Sequence, residues 1–357
     1  MLGTGERWKF RQDYYGSHQS FGRMPPVGRI NEREIIDWLV LSDDPTVRLA
    51  ALKELEGFGD TEPEVVNART ESMQIGPIST ILSKQCPGGF WGKEEEYYIN
   101  SKYKGTVWNV NLLAQLGADG GDPRVRCAAE FLLKWSQHES GGFGYRGAGD
   151  GGTAGSVIPC LSGNLVWSML RFGMMDDARV RAGIDWITKY QRFDDGDGPL
   201  PKGWPYAMKN CWGKHTCHMG AVKALKAISA LPREEWSSEL ARVASEGAEH
   251  MLKHHLYKRS HDPSEIAKPR WTQLGFPLFW DTDALEMLEV LTDLGCRDER
   301  MEDAVALVLS KRQPDGRWRN ERSYAGRLLT NIERQGTPSQ WVTLKAIVVL
   351  RKLDRLD

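Results

Sequence analysis

Apolar residues recur at three- and four-residue intervals along most of this chain, which predicts helices, in two alternating kinds of segment. In the first kind, residues 43–55, 121–144, 176–191 and 297–318, an acidic or proline-containing start precedes an arginine and an apolar stripe. Aspartate at such a start suits an N-cap and the helix dipole. The last three run on to a glutamine: Gln137, Gln191 or Gln313. In the second kind, residues 105–117, 161–173, 218–231, 283–295 and 339–353, apolar and small residues occupy several sides. Three of these stop at a glycine, as a left-handed C-terminal turn favours. A helix apolar on several sides is buried on several sides, so the second kind predicts an inner layer and the first an outer one. Successive inner segments start roughly 55–65 residues apart, one helix hairpin plus a long loop. Residues 34–72 read as a first, imperfect hairpin broken at Pro63.

At 357 residues the chain is long enough for a large core. We expect one domain of helix pairs over residues 34–357, preceded by an N-terminal wrap over residues 1–33. Trp8, Phe10, Tyr14, Tyr15 and Phe21 make that wrap too aromatic for a solvated tail. The formal net charge of -1 offers no concentrated positive charge for nucleic acid. No apolar run is long enough to span a membrane, and the start, MLGTGERWKF, has no leader-like stretch. The expectation is a cytoplasmic protein with reduced cysteines. Walker, dinucleotide-binding and Gly-x-Ser-x-Gly patterns are absent.

Glycine–aromatic turns follow the outer segments: QCPGGFW (85–91), QHESGGF (137–143) and QPDGRW (313–318), with Gly203-Trp204 after a longer loop. These turns resemble the Gln-to-Trp repeats of terpenoid cyclases of the squalene–hopene type. Residues 75 to 355 resemble that superfamily as a whole, which includes the β subunits of protein prenyltransferases. The resemblance implies an all-α fold, an α/α toroid of alternating inner and outer helices around a central cavity. In it the turns are structural, with Gln tying helix ends and Trp stacking over the turn.

Candidate chemistry gathers at the expected N-termini of the inner helices. NCWGKHTCHMG (210–220) carries Cys211, His215, Cys217 and His218, while Cys160 and Asn164 open the preceding inner segment. Tyr103 and Trp108 stand at the first inner helix, Trp280, Asp281 and Asp283 at the fourth, and Trp341 at the fifth. A helix N-terminus favours thiolate, the form that binds metal or attacks. Two readings stay open beside plain burial of the cysteines. In one, Cys160, Cys217 and His218 or His215 hold zinc, with Cys211 as fourth ligand or neighbour. Lanthionine synthetase cyclases are similar in binding zinc through one Cys and a later Cys-His pair, although their other flanking residues are missing here. Prenyltransferase β subunits use an Asp-x-Cys pair, and Lys209-Asn210-Cys211 lacks the acid. In the other reading, metal-free Cys and Asp groups act as acid and base, which linalool dehydratase-isomerase resembles.

Asp281-Thr282-Asp283-Ala284 is similar to the Asp-x-Asp-Asp acid of class II terpene cyclases but lacks the adjacent acid pair. We expect Asp281 to be the helix cap and Asp283 to face the pocket as the proton-handling carboxylate. Trp108, Asn164, Trp280 and Trp341 are the expected substrate-binding residues. Their rings either line an aromatic cavity that stabilises a cation or pack outward. RFDDGDGPLPKGW (192–204) reads as a solvated turn, and residues 141–155 as a flap or a slack connection. The functional expectation is a lyase or isomerase acting on an isoprenoid, steroid or other lipid-like molecule by isomerisation, hydration–dehydration or cyclisation. The alternatives are a non-catalytic binder of an apolar ligand, and a prenyltransferase-like subunit needing a second chain. A homodimer is compatible with each.

Overall fold

The computed structural model describes residues 32–98, 101–147, 151–206, 208 and 210–356. The expected N-terminal wrap therefore falls outside the described residues, apart from the start of the first helix. That region opens with α1 (Glu32–Val40), α2 (Pro45–Glu54), α3 (Pro63–Gln74) and α4 (Gly76–Leu82). Helix pairs follow: α5 (Thr106–Gln115) with α6 (Pro123–Trp135), and α7 (Pro159–Arg171) with α8 (Ala178–Tyr190). Next come α9 (His218–Ser229) with α10 (Ser238–Lys253), and α11 (Ala284–Asp293) with α12 (Glu302–Ser310). The chain ends on α13 (Gln340–Lys352). Short strands β1 (Lys258–Arg259) and β2 (Asp262–Ile266) pair antiparallel, as do β3 (Trp318–Arg319) and β4 (Pro338–Ser339). The fold is all-α, and no helix among the described residues is long and apolar enough to cross a membrane.

Local chemistry explains the helix boundaries. Asp44, Asp122 and Asp177 cap α2, α6 and α8 by accepting from the second helical amide at 2.8–2.9 Å. Asp298 does the same for the 3-10 turn ahead of α12, at 2.9 Å. The arginine beside the cap then reaches the previous outer helix, Arg179 to Glu130 at 2.7 Å and Arg300 to Glu249 at 2.8 Å. Gly117, Gly173 and Gly295 end α5, α7 and α11 at φ values of 75°, 69° and 76°, where a Cβ would be strained.

The glycine–aromatic turns also obey one rule. The Trp91 indole donates to the Ile81 carbonyl at 2.9 Å, and the Trp318 indole to Val308 at 2.7 Å. The aromatic residue's own amide donates to a hydroxyl in the first turn of the next inner helix. Trp91 uses Thr106 at 3.2 Å, Phe143 uses Ser162 at 2.9 Å and Trp318 uses Thr343 at 3.0 Å. Gln85 and Gln137 tie successive outer helices by donating to the Arg124 and Arg179 carbonyls at 2.9 and 2.6 Å. Gln191 and Gln313 donate within their own turns instead.

Helices α5, α7, α9, α11 and α13 pack in succession as the inner layer, and α13 returns to α2. The seam is fastened by Ser42, which donates to Gln340 at 2.9 Å, and by Arg351 on the Leu55 carbonyl at 3.0 Å. Residues 43–55 were expected outside. As α2 they instead take the inner place beside α13, because they bury Val47, Leu49, Ala51 and Leu52 on several sides. The tightest inner contact joins α7 to α9, where a Cβ added to Gly163 would sit 2.4 Å from the Lys223 carbonyl carbon.

Buried charges occupy the ring's interior. Lys223 Nζ donates to both oxygens of Glu286 at 2.7 and 2.6 Å, and Lys226 to the same carboxylate at 2.9 Å. Lys345 pairs with Glu289 at 2.7 Å. Burial would raise Glu286, but the two ammonium groups outweigh it and hold the carboxyl at about 2. Burial pulls Lys223 down to about 8, since one carboxylate is shared by two cations.

Two stability outcomes follow. Gly163→Ala forces backbone against backbone and is expected to cost about 1–3 kcal/mol, read as a lower urea midpoint. Glu286→Gln strands the Lys223 ammonium and is expected to cost about 3–5 kcal/mol. A loss below about 1 kcal/mol in the second variant would mean that the pair contributes no more than a surface bridge.

Candidate functional site

At the N-terminal side of the inner helices the structure builds an aromatic basin. Tyr98 stacks on Trp108 at 5.1 Å and 3°, and its carbonyl accepts from the Trp108 indole at 2.9 Å. Phe279 meets Trp108 edge-on at 5.2 Å, and Tyr324 closes on Tyr103 at 4.6 Å. Tyr103 holds φ 70°, an uncommon conformation for a non-glycine residue. Segment 276–280 fills this end. The Asn164 amide donates to the Phe279 carbonyl at 2.9 Å, and Gln115 exchanges bonds with Leu278 at 2.6 and 3.1 Å. Asn164 Oδ1 is buried with no partner. Trp280 is half-buried, with Lys102 5.3 Å from its ring.

The hollow lies at the other end. A cavity of about 460 Å³ is lined by the last turns of inner helices, including Glu54, Gln115, Arg171, Ser229, Asp293 and Lys352. Trp167 and Trp341 supply its aromatic wall, and Lys226 Nζ sits 4.2 Å above the Trp167 ring. Trp341 also stacks on Phe276 at 4.5 Å. The sequence reading placed the mouth at the helix N-termini. Segment 276–280 occupies that side, so the open space is left where the helices end.

The cysteines expected to converge lie at two neighbouring helix starts on the basin side. Cys160 sits in the first turn of α7, Cys217 is the N-cap of α9, and the Cys211 carbonyl accepts the Cys217 amide at 3.3 Å. The two helix starts touch, since a Cβ added to Gly220 would lie 3.0 Å from the Pro159 Cβ. Burial raises the Cys160 thiol, and the neighbouring Cys217 and Cys211 raise it further. Burial, with Cys217 nearby, pushes Cys211 up to about 12. Thiolates were expected at these helix starts. Desolvation outweighs the helix dipole, so both thiols are neutral at pH 7. Tyr98 is raised well above its ordinary value by burial first and then by Cys160 and Cys211.

The acids exchange the roles expected of them. Asp283 is the N-cap of α11, accepting from the Glu286 amide on one oxygen and the Gly275 amide on the other, both at 2.9 Å. Asp281 is clasped by Arg270 at 2.5 Å and Arg322 at 2.8 Å. The reason is geometric: only Asp283 is immediately outside the first helical residue, Ala284. Burial raises the Asp283 carboxyl to about 6, with Arg322 pulling the other way.

His218 leaves the thiols for a different cluster. Its ring lies 5.0 Å from His254 and 5.5 Å from His250. Together they are the one group among the described residues able to hold a metal ion, their ligand atoms within 4.8 Å of one another. It shares only His218 with the set suggested by sequence. His215 stays at the surface against Asp195 at 3.1 Å. Residues 192–204, expected as a solvated turn, thus send the mostly buried Asp195 inward, 3.3 Å from His254. His250 and His254, four apart in HMLKHH (250–255), carry in the sequence the spacing that puts two ligands on one helix face. Lys223, Lys226, Glu286 and Glu289 were legible too, as charges three apart on helices otherwise too apolar to face water.

No protein-family model matches this chain, and no curated protein matches it. Among solved structures it is similar to a protein from Actinoplanes at 12% identity, covering 78% of this chain and 97% of that one, with a TM-score of 0.29. It is similar to variants of the type II terpene cyclase MstE from Scytonema in two complexes. The complex with merosterolic acid A matches at 12% identity over 78% of this chain and 95% of that one, TM-score 0.30. The complex with geranylgeranyl dihydroxybenzoate matches at 13% identity over the same shares, TM-score 0.29. Likenesses this slight carry no argument about the chain, whose all-α character rests on its own helices.

Proposed function

We propose that this chain is an enzyme acting on an isoprenoid, steroid or other lipid-like molecule by isomerisation, hydration–dehydration or cyclisation. The observation that supports the reading is the close approach of the α7 and α9 starts, which carry Cys160 and Cys217 with Cys211 bonded to the latter, on the side where Tyr98 stacks on Trp108. Reactions of this class need a proton donor, a base and a surface that tolerates positive charge. Burial makes these thiols weak acids, so the proton donor in this reading is the Asp283 carboxyl, which titrates nearer neutrality, and a thiol's part is to pass on or take back that proton. The half-buried Trp280 ring can stabilise the intervening cation, while Trp108, covered by Tyr98, Tyr103 and Phe279, holds the aromatic wall in place. Asp283 enters as a carboxyl that changes protonation near neutrality, each oxygen keeping a lone pair beyond its amide contact. In this reading Asn164 sets the substrate-facing edge through its grip on Phe279.

The test is incubation of purified protein with a panel of linear isoprenoids and sterols, with products analysed by mass spectrometry. Cys160→Ala and Cys211→Ala are expected to cut turnover by about 10²–10⁴-fold with binding little changed, whereas Trp108→Ala weakens binding. Undiminished turnover in the double cysteine variant removes the thiols from the chemistry. Binding without conversion of any substrate leaves a ligand-binding protein.

Asp283 also makes a pH prediction. Its carboxyl is raised from an ordinary 3.8 to about 6 by burial, so the folded state holds a proton that the unfolded state releases. Its contribution is complete below pH 4 and lost as pH rises to about 6, a change of about 3 kcal/mol. Asp283→Asn keeps a capping side chain and removes this slope. Urea midpoints at pH 4 and pH 7 check it, and an equal difference in both proteins contradicts the assignment.

A further inference from the structure

We infer that His218, His250 and His254 bind one divalent transition-metal ion of the zinc class, with the Asp195 carboxylate beside His254. The argument starts from which nitrogens are already committed. His218 Nε2 donates to the Leu256 carbonyl at 2.7 Å, so its Nδ1, buried and without a partner, carries the free lone pair. His254 Nδ1 donates to the Lys258 carbonyl at 3.0 Å, so its Nε2 lone pair points at the Asp195 carboxylate 3.3 Å away. Two acceptors face each other there, which needs a cation between them. His250 is buried, and neither ring nitrogen has a partner in hydrogen-bond geometry, the Phe193 backbone being the polar group near it. A proton on His254 would answer one of these unmet groups. A metal ion held by the three imidazoles answers all of them, and its charge also meets the carboxylate beside His254.

The surroundings fit that occupant. Metal-bound histidines commonly donate their second N–H to a backbone carbonyl, which fixes tautomer and orientation, and two of these three already do. His250 and His254 lie one turn apart at the C-terminal end of α10, where helix carbonyls favour a cation. Zinc bonds of about 2.0–2.1 Å in a tetrahedron set neighbouring ligand atoms about 3.3–3.4 Å apart. Asp195 and His254 stand at 3.3 Å, and the three nitrogens lie within 4.8 Å, a gap that imidazole rotation can close. Three imidazoles and a carboxylate suit zinc, cobalt or nickel rather than calcium or magnesium. A surface groove of about 640 Å³ that includes Phe193, Asp194 and His250 gives an entry path. The site is separate from the thiol basin, so it stands whether or not the lipid-handling reading does.

The experiment strips the full-length protein with a chelator and titrates it with Zn²⁺ or Co²⁺ alone. One ion per chain is expected, with visible Co²⁺ absorption of a tetrahedral nitrogen–oxygen site and no thiolate charge-transfer band. Fluorescence of Trp271, whose ring is 4.9 Å from His218, should be quenched by Co²⁺. Loss of an outer partner lowers metal affinity about 10–100-fold, so His250→Gln and His254→Gln should each lose more than that. Cys160→Ser, Cys211→Ser and Cys217→Ser should bind as the parent does. His254→Gln replaces a partly exposed side chain, and circular dichroism of that variant verifies folding before titration. Absence of stoichiometric binding in the parent overturns the inference. So does a thiolate band that vanishes in the cysteine variants, or unchanged affinity in folded His254→Gln.

Discussion

Two ammonium groups inside a helical ring set the terms for its construction. Lys223 and Lys226 project from α9 into the buried interior, and Glu286 on α11 answers both. The close approach of α7 at Gly163 leaves the Lys223 backbone no room to withdraw. An unpaired charge there would cost far more than the pair returns, so the bridge selects an arrangement more than it adds stability. Glu289 and Lys345 repeat the device between α11 and α13, and Asn111 reaches Ser168 between α5 and α7 at 3.3 Å. Apolar packing alone would let parallel inner helices slide, whereas these polar pairs admit one register.

That register makes the two ends of the ring different. Segment 276–280 enters on one side, where its Phe279 carbonyl accepts from the Asn164 side chain, and reaches inward to the end of α5, where Leu278 exchanges backbone bonds with the Gln115 side chain. Its aromatic side chains complete the basin around Trp108, and the space they do not take remains as the cavity where the helices end. A charged cavity and a thiol–aromatic basin thus share one inner layer. The proposed chemistry belongs to the basin because proton donors and ring faces coincide there. The cavity is lined by charges of both signs, which suits a polar ligand group better than a hydrocarbon.

Local physics was legible in the sequence, and partner identity was not. Aspartates 44, 122, 177 and 298 cap where their spacing predicts, and Gly117, Gly173 and Gly295 end inner helices as expected. Each of those features needs only its neighbours along the chain. The choice between Asp281 and Asp283 as cap turned on two residues of helix boundary, which local sequence fixes least well. The inner place of α2 depends on how the ring closes through α13, a contact nearly 300 positions away that no local pattern reports. Thiol acidity failed for a related reason: the helix dipole is a local property, while desolvation depends on everything packed around the sulfur.

Cys217 and His218 show most directly how adjacency misleads. The cap residue lies just outside the helix, at φ -60° and ψ 105°, and the next residue is its first helical member. Their side chains therefore leave the backbone in different directions. Cys217 goes to the start of α7 and the other thiols, and His218 goes to the end of α10 and its histidines. A Cys-His pair in sequence suggests one ligand set. At a helix start it instead serves two sites, so thiol chemistry and metal binding on this chain are open to separate removal.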